Sequence, residues 1–279
     1  MRDLEPIYVI ELFPKLHVKL IELLKSLSND DWTRPTVCSM WDVKDIVAHL
    51  LDGGYLRRLS MHRDGYFGER AENINSYQDL VTFLNRLNAD WVRAARRLSP
   101  QILIELLDQS GHEVYELFKS LDPHEPALHS VAWAGEEVSE NWFDIAREYT
   151  EHWHHQQQIR LAVNKPGIMT RELYFPVLDT FMRALPHTYR DVEADEETLL
   201  KFQIVGEAGG TWFLLRQSGR WNLGVDAEGW STSEVTIPQE IAWRLFTKGI
   251  DKEAAKKEIA ITGDERLGGV VLNMLAVMA

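Results

Sequence analysis

Arg147-Glu148-Tyr149-Thr150-Glu151-His152-Trp153-His154-His155-Gln156-Gln157-Gln158-Ile159-Arg160 is the stretch on which the reading of this 279-residue chain turns. It lies in a long helical pattern that Ser139 opens and Asn164-Lys165-Pro166-Gly167 ends, because proline and glycine do not prolong the helical ladder. Trp142, Ile145, Ala146, Tyr149 and Trp153 recur at helical spacing and mark an apolar face. Side chains four apart share a face, so Glu151/His155 and Glu148/His152 are each a carboxylate–imidazole pair suited to a divalent metal. On a helical wheel Glu151 and His155 project almost opposite the apolar face, whereas Glu148 and His152 flank it. Periodicity by itself selects Glu148/His152.

A third ligand is offered upstream. Ser39-Met40-Trp41-Asp42 reads as a capping box, with Ser39 as N-cap and Asp42 answering three residues later. The helix it opens is expected to run to about Met61, with Val43, Ile46, Val47, Leu50 and Leu51 on its apolar face and His49 within that stripe. His49 added to either pair makes two imidazoles and a carboxylate. Three protein ligands leave a coordination position open, as a catalytic metal site requires. Zinc suits such a set, and nickel, manganese and iron also accept it. The thermolysin-type H-E-x-x-H is absent, which disfavours a metalloprotease of that kind.

Outward from these segments the first half reads as helices. Residues 7–27 place Ile10, Phe13, Leu16, Leu20, Leu23 and Leu24 on one stripe. Two further helical patterns, 76–97 and 101–120, are split near Ser99-Pro100, and Asp122-Pro123-His124-Glu125-Pro126 is a loop. One more helix covers about 171–190. The second half changes period. Leu199 to Val205 and Thr211 to Arg216 alternate about a turn at Gly206–Gly210, and further strands are expected near 220–225, 232–236 and 258–262. Helices are expected near 238–248 and 264–278. The glycine-rich turn is not a phosphate loop, since no helix follows it.

Charge and histidine divide the chain at the same place. All ten histidines fall before residue 188, and Asp191, Glu193, Asp195, Glu196 and Glu197 form an acidic run. After it, residues 198–279 carry 10 acids and 9 bases, against 28 and 21 in the first 190. The acidic run is the expected linker between a helical bundle and a small α+β domain. The formal charge of −13 argues against nucleic acid, which needs a basic face. Cys38 alone supports neither a disulfide framework nor a cysteine-based metal cluster. No membrane-spanning segment is read: the apolar stretch from Val270 to Ala279 is interrupted by Asn273 and too short for a bilayer. The N-terminus bears acids where a signal peptide needs a basic start, so a cytoplasmic protein is expected.

Two segments carry a family resemblance. Met40-Trp41-Asp42-Val43-Lys44-Asp45-Ile46-Val47-Ala48-His49-Leu50 and Glu151-His152-Trp153-His154-His155-Gln156-Gln157-Gln158-Ile159-Arg160 resemble the DinB-like superfamily, in its mycothiol-dependent maleylpyruvate isomerase branch. In that branch a tryptophan stands eight residues before the first metal histidine, as Trp41 stands before His49. The second motif reads Glu-x-Trp-x-His-x-x-Asp, which implies Glu151 and His155 as the other ligands. This chain has Gln158 at the aspartate position. Trp243-Arg244-Leu245 and Ile261-Thr262-Gly263-Asp264 are similar to the sterol-carrier-like domain of such proteins. The resemblance implies a DinB-like four-helix bundle with extra helices over 1–190 and a sterol-carrier-like α+β domain over 198–279.

It further implies a metal-dependent enzyme that uses a low-molecular-weight thiol (mycothiol, bacillithiol or glutathione) as an S-transferase or isomerase acting on a small electrophile. The branch also implicates a basic residue from the second domain, for which Arg244 and Lys248 are the nearest matches. Cys38 reads as packing rather than as the nucleophile. His152 and His154 read as packed or solvent-facing, His124 and His129 as loop residues, and Trp133, Trp142 and Trp153 as core. Two other readings stand beside the enzyme: a carrier of an apolar small ligand, and a metalloprotein without catalysis. The sequence is compatible with a monomer or a homodimer.

Overall fold

The computed structural model describes residues 1–70, 72 and 74–277. Clustering of contacts divides them into two compact units that interleave along the chain, one of Val9–Leu128 with Glu148–Ile168 and the other of Met1–Tyr8, His129–Arg147 and Met169–Val277. The division falls inside the longest helix, between Arg147 and Glu148.

The first of these units is helical. Its elements are α1 (Phe13–Lys25), α2 (Val43–Leu50), α3 (Tyr77–Ala95), α4 (Pro100–Ser120) and the part of α5 (Asn141–Val163) from Glu148 onward. Ser76 and Ser99 cap α3 and α4 by accepting from Asp79 N and Ile102 N, and Pro100 occupies the first turn of α4, where its missing donor costs nothing. α1 lays His17 on α4 at Gly111, where any Cβ would collide with the imidazole. Trp91 donates to Ala48 O at 2.7 Å and Arg96 pairs with Asp45, which ties α3 to α2. α5 ends at Asn164, whose φ of 54° is the left-handed conformation that closes a helix.

The cap of α2 differs from expectation. Asp42, not Ser39, is the N-cap, and its carboxylate accepts from Asp45 N at 2.9 Å. Residues 34–43 are already committed to a hairpin-like loop: Val43 N donates to Arg34 O, Thr36 N donates to Trp41 O, and Pro35 bridges Asp42. Helical bonds therefore cannot start before Asp42. Beyond Leu50 the helix continues as π-helical turns over Leu51–Leu56 and Leu59–Arg63.

The second unit is built on a six-stranded mixed sheet in the order β1-β4-β3-β2-β5-β6. The strands are β1 (Arg2–Asp3), β2 (Leu199–Val205), β3 (Gly210–Gln217), β4 (Arg220–Val225), β5 (Ser233–Pro238) and β6 (Ala260–Gly263). β2 and β5 run parallel and every other pair antiparallel. Alternation puts Leu200, Phe202, Ile204, Trp212, Leu214, Val235 and Ile237 in the core. The Gly206–Gly210 segment is a hairpin turn, and Gly206 (φ 137°) is held where a Cβ would strike Gln239. The helices of this unit are α6 (Arg171–Met182), α7 (Leu185–Tyr189), α8 (Gln239–Phe246), α9 (Lys252–Lys256) and α10 (Glu265–Gly268). The helix expected over 264–278 is thus only α10 and a 3-10 turn, Gly269–Asn273. Gly268 packs its bare Cα against Val235 and Ile261, and Ala276 N bonds to Phe246 O, so the chain leaves the helical path. Residues 278 and 279 lie outside the described set.

Asp42→Ala is expected to cost about 1 kcal/mol of stability, and Ser39→Ala close to nothing, by urea unfolding. Equal effects would return the cap to Ser39.

Candidate metal centre

α2 and α5 bring two of the three expected ligands together directly. The His49 and His155 rings meet edge to face with centroids 4.8 Å apart, and the Trp41 ring is 4.7 Å from that of His49. His155 Nε2 is 3.5 Å from Glu151 Oε2. His155 Nδ1 is 2.9 Å from Gln158 Oε1. A carbonyl oxygen only accepts, so Nδ1 carries the proton and the lone pair is on Nε2, toward Glu151. Gln158 thus holds the imidazole in one tautomer from the position where the related motif has aspartate, with a neutral acceptor instead of a charged one.

His49 offers a different sign of a missing partner. Its Nδ1 is buried and, among the described residues, has no hydrogen bond. A buried polar atom left unsatisfied costs about 1–3 kcal/mol. Two imidazoles beside a carboxylate, one of them with an orphaned nitrogen, fit a divalent cation of borderline softness.

His154, rather than His49, is the imidazole whose ligand atoms group with those of Glu151 and His155. Glu151, His154 and His155 offer ligand atoms that all lie within 4.8 Å of one another. The His154 ring is buried against His155, centroids 4.0 Å apart, with Nδ1 3.1 Å from Thr150 O and 3.6 Å from Glu151 Oε2. A carbonyl oxygen only accepts, so that nitrogen donates, and a lone pair for a metal would be on His154 Nε2. Its i+3 spacing from Glu151 was the signal for this proximity.

The alternative pair has other occupations. Glu148 is buried in an ion pair with Arg58, and His152 Nε2 is 3.2 Å from Gly54 O. The His152 ring packs on Tyr55 at 4.6 Å and Phe13 at 5.3 Å. The helical wheel misleads here because α5 is buried around its whole circumference. From residue 143 to 160 every side chain is buried except Glu151, whose carboxylate is 23% exposed. Glu151 is therefore the polar opening of this stretch.

The remaining candidates are placed as follows. Arg244 on α8 is partly exposed and donates to Glu240 O at 2.9 Å. Lys248, just past α8, is exposed with φ 59°. Both belong to the sheet-containing unit, whereas His49, Glu151 and His155 belong to the helical one. Burial pushes the Cys38 thiol up, against thiolate chemistry at neutral pH. Trp133 and Trp153 are core, and Trp153 donates to Ile168 O. Trp142 is half-buried and donates to Glu140, with Arg183 over its ring. His124 is exposed and His129 half-buried.

Burial pushes the His49, His152 and His154 imidazoles down to about 3, and the neighbouring His155 adds to the shift at His49 and His154. They stay neutral at physiological pH. The unfolded chain, with ordinary imidazoles near 6.5, binds more protons than the native state between these values. Stability is therefore full above about pH 6.5 and is lost as pH falls toward 3. In metal-free protein, His152→Gln keeps a donor for Gly54 O but cannot titrate. It should remove up to about one proton from the slope of unfolding free energy against pH, measured by urea unfolding from pH 7 to 4. An unchanged slope would contradict the neutral burial of His152.

A family model described as the mycothiol maleylpyruvate isomerase N-terminal domain matches residues 13–160, which include α1, α2 and all three expected ligands. Among solved structures, those of a mycothiol-dependent maleylpyruvate isomerase and of a histidine-to-alanine mutant of it are similar. Each is 12% identical, with 85% of this chain and 86% of that chain covered at a TM-score of 0.50, a likeness of fold that extends into the sheet-containing part. No curated protein matches. The family match takes in more than half of the 279 residues, and the chain belongs to the family of the mycothiol maleylpyruvate isomerase N-terminal domain.

Proposed function

We propose that this chain is a metal-dependent enzyme that uses a low-molecular-weight thiol, as an isomerase or S-transferase of the maleylpyruvate isomerase type. The observation that carries the reading is the meeting of His49 and His155 beside Glu151, with His155 locked by Gln158. A divalent cation there, zinc foremost and nickel, manganese or iron by the same donor set, would lower the pKa of a mycothiol, bacillithiol or glutathione sulfur so that its thiolate attacks an electrophilic substrate at neutral pH.

The chain's residues divide the remaining work. His49 and His155 supply neutral nitrogen donors, and Glu151 supplies one negative charge at the solvent side of the set. Gln158 orients His155 without adding a second negative charge, which leaves more of the cation's charge for the sulfur. Trp41 packs against the His49 ring. Arg244 and Lys248 are carried in this reading as the basic groups of a sterol-carrier-like domain over 198–279, joined to a metal-binding bundle over 1–190. No helix among the described residues is long and apolar enough to cross a membrane, in keeping with a small-molecule enzyme of the cytoplasm.

Metal analysis after zinc loading is expected to give about one ion per chain, with His49→Ala, Glu151→Ala and His155→Ala each losing most of it. Glu148→Gln and His152→Gln should keep it. Full stoichiometry in His49→Ala or His155→Ala would overturn the ligand set. Gln158→Leu should weaken zinc affinity by about 10- to 100-fold while leaving the saturating stoichiometry intact; unchanged affinity would remove Gln158 from the account. A zinc-loaded chain that turns over no model electrophile with any thiol would favour a non-enzymatic metalloprotein or an apolar-ligand carrier.

A further inference from the structure

The helix that carries His49 also carries a cation, Arg57, that makes no hydrogen bond among the described residues. In an α-helix a step of eight residues overshoots two turns by about 80°, so Arg57 would stand off the His49 face. The π-helical turns alter this. Arg57 N bonds to Asp52 O, five residues back, and the wider turn rotates less per residue, which returns Arg57 toward the face of His49. Gly53 lies between them. A Cβ at Gly53 would meet only His49 Cε1, at 3.7 Å, and otherwise open space.

The charges around it sharpen the contrast. The neighbouring arginines are matched, Arg58 with Glu148, Arg63 with Glu113 and Arg96 with Asp45. Arg57 is half-buried, and among the described residues its guanidinium makes no hydrogen bond or ion pair. Its field reaches His49, adding to the burial and to the imidazoles that depress it, and reaches the Asp52 carboxyl, which burial raises and Arg57 lowers. In a chain with 43 acids and 30 bases, a half-buried guanidinium that no carboxylate bonds, on the helix face that Gly53 leaves open, suits an anion.

We propose that Arg57, across the Gly53 notch from His49, binds a carboxylate of the molecule that reacts at this centre. A guanidinium presents two parallel N–H donors that match the two carboxylate oxygens, and partial burial strengthens such a pair. The inference rests on the metal-centre reading for what His49 does, but its geometry is independent of which metal is bound. The carboxylate belongs either to the electrophile or to the thiol, and the two are separable with simple probes.

Zinc-loaded wild-type, Arg57→Met and Gly53→Leu chains would be titrated calorimetrically with maleate, with N-acetylcysteine and with cysteamine, a thiol that has no carboxylate. Arg57→Met should weaken one carboxylate probe by about tenfold or more, leave cysteamine within about twofold, and keep the bound zinc. Gly53→Leu, which fills the notch without touching the charge, should weaken the same probe. Loss confined to maleate places the carboxylate on the electrophile, and loss confined to N-acetylcysteine places it on the thiol. Carboxylate affinities unchanged in Arg57→Met, or absent from the wild type, would overturn the proposal. A wild type that takes up no zinc would instead overturn the proposed function, and the maleate arm on that metal-free chain would still decide Arg57.

Discussion

A helix buried on every side can carry polar side chains only where each finds a partner, and α5 carries a long run of them. Glu148, His152, His154, His155, Gln158 and Arg160 are all buried. Most are answered from within the helical unit: Glu148 by Arg58, His152 by the Gly54 carbonyl, His154 by Thr150, His155 by Gln158, and Arg160 by the carbonyls of Lys19 and Lys165. Each pairing removes a desolvation cost that would otherwise count against the fold. Among the described residues His49 Nδ1 has no hydrogen bond, as is also true of both amide atoms of Gln156, and Glu151 is the one position of 143–160 that is not fully buried.

The same constraint explains why these imidazoles are neutral. Low dielectric around His49, His152 and His154 disfavours the imidazolium, so each nitrogen is either a fixed donor or a lone pair. His152 gives Nε2, and His154 Nδ1, to a backbone carbonyl. His155 gives Nδ1 to a side chain and keeps Nε2 beside Glu151. A neutral Gln158 rather than a carboxylate preserves that division while leaving the local charge with Glu151 alone.

Much of the fold was legible because it is periodic. Apolar stripes located α1, α3 and α4, alternation located β2, β3 and β4, and Ser99-Pro100 marked the break between α3 and α4 by chemistry that local sequence contains. Three features lay beyond periodicity. Asp42 displaced Ser39 as a cap because the Arg34–Val43 loop uses the intervening backbone. The C-terminal helix shortened because Gly268 must approach Val235 and Ile261. The π-helical turns have no side-chain period of their own, and Gly53-Gly54 is the only local hint. At the site, the wheel chose Glu148/His152 because it assumes one wet face, which α5 does not have. The motif spacing pointed to Glu151/His155, whereas the partners that occupy Glu148 and His152 come from Arg58 and Gly54, about ninety residues away.

At the centre of this reading His49, Glu151 and His155 together hold one divalent ion, with His154 as the competing imidazole. X-ray absorption fine structure of the zinc-loaded chain tests it most directly, because imidazole rings give a countable multiple-scattering signal. The account predicts two imidazoles, with nitrogen and oxygen donors at about 2.0–2.2 Å and no sulfur from the protein. Three imidazoles, a single imidazole or a sulfur ligand would contradict it.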